Sequence, residues 1–117
     1  MSKFSKCSIQ FNGREELHNQ LSLTGAEISI NKLPAGSGVP FVHSHKKNEE
    51  IYIIIEGEGS VLIDDETIHL TKGDCLRISP KAKRQFSAGK ESSISYICIQ
   101  VKENSLEEFS MTDGVIE

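Results

Sequence analysis

The chain has 117 residues, 37% hydrophobic and 26% charged, with a formal net charge of −4. That length buries one core without staples, and the apolar share excludes a disordered tail. The acidic balance argues against nucleic acid as a partner, and no apolar run approaches the roughly 18 residues of a membrane span, so a cytoplasmic protein is expected.

Residues 1–10 hold no continuous apolar block and do not read as a signal peptide. Arg14–His18 reads as either a helical turn or an extended arm. From Ala26 to Asn31 apolar and polar residues alternate, as in a half-buried strand. Leu33–Pro40 carries Pro34, Gly36, Gly38 and Pro40, which makes it a turn-rich loop. Phe41–His45 then reads as a strand, and Ile51–Ile55 as a β-branched run buried on both faces.

Gly57-Glu58-Gly59 breaks that run, and Val61–Ile63 opens the next strand. Asp64-Asp65-Glu66 is a polar hairpin turn before Thr67–Leu70. Lys72-Gly73-Asp74 turns the chain again, ahead of a strand over Cys75–Ser79 that Pro80 closes, and Ile94–Val101 forms a last long strand. Strands at this short, regular interval predict an all-β antiparallel sandwich or barrel. Ser105-Leu106-Glu107-Glu108 has capping-box spacing, which predicts a short C-terminal helix through about Met111. The whole chain, 1–117, is expected to form one domain: a barrel core over about 26–101, an N-terminal arm over 1–25 and a tail over 102–117.

Chemistry concentrates at His43-Ser44-His45 and Glu50. Two imidazoles one residue apart in an extended segment project from the same side. A carboxylate five residues after the second His can return on the next strand to face them. Such a set makes a half-built metal shell with positions left for water or substrate, suited to iron, manganese, nickel or zinc. Alternation turns only one of Glu49 and Glu50 inward. His18 and His69 read as surface histidines. Cys7, Cys75 and Cys98 are odd in number and widely spaced, without the pairing of a zinc ribbon or a CxxC motif, and Cys75 and Cys98 read as small strand hydrophobes. Lys81, Lys83, Arg84 and Lys90 form a basic cluster, read either as an anion-binding rim or as a solvated loop.

His43, His45, Glu50 and Gly57 have the spacing of the first motif of the single-domain cupins, and Gly73-Asp74 and Pro80 are similar to parts of the second. The chain thus resembles small cupins over roughly residues 26–101. The motif spacing selects Glu50 and leaves Glu49 as its bland neighbour. The resemblance implies a jelly-roll β-barrel, a divalent metal held inside it, and commonly a homodimer. It departs from the family at Gln85, which stands where the motif's third histidine falls, and at Ala82, which replaces the motif glycine. The ligand set implied is therefore His43, His45, Glu50 and Gln85. Arg84 or Lys83 would orient an anionic group. The expected function is a metal-dependent enzyme, a dioxygenase or isomerase acting on a sugar or carboxylated compound. The alternative is a non-catalytic small-molecule or sugar-binding module with a degenerate metal site, favoured by Gln85.

Overall fold

Alternation of side chains along one long strand organises this protein. The computed structural model describes residues 3–109 and 112–117. Among them lie seven strands: β1 Glu15–Glu16, β2 Glu27–Leu33, β3 Asn48–Ile63, β4 Glu66–Thr71, β5 Cys75–Ile78, β6 Arg84–Ala88 and β7 Ile94–Lys102. A single-turn helix, α1, spans His18–Leu21. All strand pairings are antiparallel. The order β1-β2-β7-β3-β4 is completed by β5 and β6, both of which pair with β3. Between Arg14 and His18 both forms weighed from sequence occur, a short extended pair and then the start of α1.

The N-terminal part of β3 pairs with β7 and β5, and its C-terminal part with β4 and β6. A register shift between Ile54 and Glu56 separates the two parts. Before it Glu50, Tyr52 and Ile54 are buried, and after it Gly59 and Val61 are. One inserted residue moves the two-residue alternation by one step, so a single strand keeps its inner face toward the core in both sheets.

The glycines of residues 57–59 therefore lie inside a strand and do not break it. Gly57 has φ +76°, and a Cβ there would run into the Ser93 carbonyl, while one at Gly59 would meet the Ser87 carbonyl. Only glycine tolerates both demands at a bend this tight. Val61, Leu70, Ile78, Phe86 and Ile94 fill the core behind it, each at most 2% exposed.

Three further expectations change. Ile51, Ile53 and Ile55 are partly covered, not buried like the inward set. Phe41–His45 is not a regular strand: the segment touches β6 through isolated bridges at Gly38↔Ser87 and His43↔Arg84. Pro40, between them, has no N–H to give to a ladder. Residues 105–109 form no helix. Leu106 and Phe109 are 74% and 82% exposed, and so short a helix with no packed face has too little to stabilise it. Residues 110 and 111, the end of that expected helix, lie outside the described residues. Among the described residues no helix is long and apolar enough to cross a membrane.

Candidate metal and ligand site

The alternation of β3 turns Glu50 inward, where it is 2% exposed. It turns Glu49 outward, into an ion pair with Arg77. His43 and His45 arrive on the irregular segment, which backbone hydrogen bonds fix. His43 N donates to Arg84 O at 3.1 Å, Arg84 N donates to His43 O at 2.9 Å, and His45 N donates to Pro80 O at 2.7 Å. The two imidazoles stand edge to face, 5.3 Å between centroids. One ligand atom from each of His43, His45 and Glu50 lies within 4.8 Å of the others.

Glu50 is heavily committed. Its Oε1 accepts from the Tyr52 hydroxyl at 2.5 Å and from Arg84 Nη1 at 2.7 Å, and its Oε2 accepts from the Cys98 thiol at 3.4 Å. Burial pushes the carboxyl up, but the Tyr52 bond, His45, Cys98 and Arg84 together outweigh it and hold the group below its ordinary value. Burial likewise dominates at His43, which it lowers against the pull of Glu50. Burial and then Glu50 push the Cys98 thiol up to about 12, so it is a neutral donor and not a thiolate.

The donor set fits a divalent ion. His45 Nε2 is buried and lies 3.1 Å from Glu50 Oε2, yet it makes no hydrogen bond. A neutral imidazole nitrogen this near a carboxylate oxygen and free of a hydrogen bond can share one ion with it. His43 Nδ1 is a second buried nitrogen without a partner among the described residues. Arg84 acts against the ion. Its side chain is fully buried and its charge sits on the same carboxylate, a repulsion on the order of a few kcal/mol toward a dication.

Arg84 also corrects two expectations. β6 alternates, with Arg84 and Phe86 buried and Gln85 between them only half-buried. The structure does not bring Gln85 to the site: its Nε2 donates to Val39 O at 2.8 Å, and its side chain does not line the cavity. Arg84, directly across from His43, takes the inward place instead. Nor does Arg84 reach a bound molecule, because it stands behind Glu50 with Nη2 donating to Ser79 O. Lys81, Lys83 and Lys90 are exposed, apart from the cavity. Cys75 lies in a strand as expected but is exposed there, not packed as a small hydrophobe, while Cys98 is buried.

His43, His45 and Glu50 open onto a cavity of about 510 Å³, a size that suits one small molecule. Tyr52, Phe86 and Tyr96 form an aromatic wall in it, with centroids 4.3 Å and 4.9 Å apart along the row. Reading the sequence missed β6 and the hold that Arg84, Tyr52 and Cys98 have on Glu50. The Arg84/Phe86 alternation was the available signal for β6.

Comparison with known proteins agrees with this architecture. The family described as Cupin domain matches residues 30–100. An uncharacterized protein of Methanocaldococcus jannaschii is 32% identical over 87 residues, covering 73% of this chain and 68% of its own. The crystal structure of a cupin protein from Bacteroides fragilis superposes with a TM-score of 0.97 at 58% identity, covering 100% of this chain and 99% of that one. A DMSP lyase from Ruegeria pomeroyi has a TM-score of 0.68 at 18% identity, over 88% of this chain and 53% of its own.

Proposed function

The chain belongs to the cupin domain family, and from there we propose that it binds a small molecule in its barrel beside a divalent metal ion held by His43, His45 and Glu50. The observation that carries this reading is His45 Nε2, buried beside the Glu50 carboxylate and without a hydrogen-bond partner among the described residues. Iron, manganese, nickel and zinc all suit two imidazoles and a carboxylate. When bound, such an ion supplies a Lewis acid for a substrate oxygen, the chemistry that an isomerase or a dioxygenase of this kind would need.

The protein's own residues do the rest. Tyr52, Cys98 and Arg84 fix the Glu50 carboxylate in one orientation. Backbone bonds from the 80–84 segment hold both histidines. The aromatic wall excludes water from one side of the cavity. The likeness to the lyase, at 18% identity, bears on the fold alone, and its substrate is not carried over.

A second reading has its own observation. Arg84 neutralises Glu50, which favours a metal-free barrel that binds a small molecule without catalysis. Elemental analysis of protein purified without chelator, beside a His43→Ala/His45→Ala variant, separates the two. Near-stoichiometric transition metal that disappears in the variant is the expected result. No metal in either protein, even after reconstitution, leaves the metal-free reading. We also infer a homodimer, a reading supported by the exposed Phe4 and Phe11 of the arm and by Leu106 and Phe109 of the tail.

A further inference from the structure

Two full cations, Arg14 and Lys32, stand among the residues lining the cavity, and Glu50, the one carboxylate there, is already held by its neighbours. Arg14 precedes β1 on a tightly built turn. The Glu15 carboxylate accepts the N–H groups of Gln10 and Phe11, and Lys32 N donates to Gly13 O at 3.1 Å.

β2 then commits two buried polar residues to Arg14. Nη1 donates to Asn31 Oδ1 at 2.9 Å and to Ser29 Oγ at 3.3 Å, and Asn31 Nδ2 donates to Ser29 Oγ at 3.0 Å. Asn31 is 6% exposed and Ser29 2%. Polar groups buried so deeply cost stability unless bonded, and these bond to one guanidinium, fixing its direction. Nε and Nη2 of Arg14 make no hydrogen bond among the described residues. Nη2 lies 3.5 Å from Glu16 Oε2, an exposed pair that contributes little.

Tyr96 lines the same cavity. Its side chain is buried, and the hydroxyl has no hydrogen-bond partner among the described residues. Burial and then Cys98 push it up to about 12, with Arg14 pulling the other way. At neutral pH it is therefore a donor, and it lies close enough to Arg14 to feel its charge.

We propose that Arg14 and the Tyr96 hydroxyl form an anion subsite that takes a small carboxylate with an apolar body, the carboxylate at Arg14 and the body along Tyr52 and Phe86. The inference rests on the reading of the barrel as a small-molecule site. One fixed guanidinium edge and one hydroxyl match the two oxygens of a carboxylate better than they match a phosphate dianion. Lys32 adds positive charge at the rim.

Calorimetric titration of chelator-treated protein with benzoate and hexanoate, and with benzyl alcohol as a neutral counterpart, tests this. The carboxylates are expected to bind and Arg14→Gln to weaken them roughly tenfold or more, leaving benzyl alcohol unchanged. Tyr96→Phe should weaken them less, and Arg14→Lys should recover part of the loss. Asn31 and Ser29 still bond each other without Arg14, and a thermal melt of Arg14→Gln matching that of Arg14→Lys checks that the fold is in place. Equal carboxylate affinity in wild type and Arg14→Gln overturns the proposal, as does no binding of either carboxylate at millimolar concentration. The same titration with zinc-loaded protein adds an arm. Binding that requires zinc and ignores Arg14 puts the carboxylate on the ion and overturns the subsite. Arg14-dependent binding to protein that never takes up metal sustains the subsite and sinks the metal reading alone.

Discussion

Arg84 and Glu50 set the chemistry of this barrel at the scale of single side chains. A buried arginine and a buried carboxylate are each costly alone; here Glu50 accepts from Tyr52, Cys98 and Arg84, and Arg84 also donates to the Ser79 carbonyl. Removing one partner strands the other. Arg84→Ala should therefore cost about 3–5 kcal/mol in urea unfolding, and a change within experimental error would mean that Glu50 is not charged in the folded protein. Arg84→His should tighten zinc by adding an imidazole and removing the opposing charge, whereas Gln85→His should leave zinc affinity unchanged. The reverse ranking in a zinc titration would place Gln85, and not Arg84, at the site.

Acid sensitivity also belongs to individual residues. His43 is held below 6.5, chiefly by burial, so in acid the unfolded chain takes up a proton that the folded chain refuses. Its contribution is full above pH 6.5 and lost below. Glu50 is held below 4.5 despite burial, chiefly through Tyr52, so its contribution is full above pH 4.5 and lost further down. Both signs make stability rise with pH across the acid range. Unfolding midpoints followed from about pH 8 to about pH 4 should begin to fall below pH 6.5, and His43→Gln should lose that first step and keep the lower one. A midpoint that is level down to pH 4.5 in the wild type would contradict the His43 assignment.

Among the elements, β3 carries the most. Its bulge lies just beyond Glu50, Tyr52 and Ile54 and returns the inner face to the core at Val61. Gly57 and Gly59 make that bend possible, because backbone carbonyls of Ser93 and Ser87 occupy the space a Cβ would need. Gly57→Ala and Gly59→Ala are each expected to destabilise by roughly 2 kcal/mol or more. Melting curves that coincide with wild type would show that the two glycines are incidental to the bend.

The whole molecule couples these parts through pairings distant in sequence. β2 and β7 bring Asn31 opposite Tyr96, and the pairing of β1 with β2 brings the preceding Arg14 to the same cavity. The most exposed of the large apolar residues, among them Phe4, Leu106 and Phe109, lie in the arm and the tail, while Phe41 and Val42 beside His43 are exposed as well. Light scattering should give twice the chain mass, and Phe4→Ser combined with Phe109→Ser should shift the protein toward monomer. A wild-type monomer at high micromolar concentration would dispose of the homodimer.

The sequence by itself determined the all-β class and the His43, His45 and Glu50 cluster, because both rest on local rules. Alternation sends residues i and i+2 to one side, and a carboxylate a short turn away can come back to face them. The same rule allowed only one of Glu49 and Glu50 to face inward, and the spacing of the cupin motif selected Glu50. Gln85 was misplaced because the phase of β6 is set from outside: by its ladder with β3, where Ile63 pairs with Arg84, and by the bridge from Arg84 to His43. The bulge in β3 was hidden for a related reason, since two glycines in a β-branched run look like a break until strands on both sides hold the backbone through it. Arg14 could be recognised only once β1 had folded onto β2 and Asn31 had taken hold of its guanidinium. Short-range alternation is written in the order of residues, but strand phase and cavity walls come from pairings across the chain, and only the tertiary structure decided those.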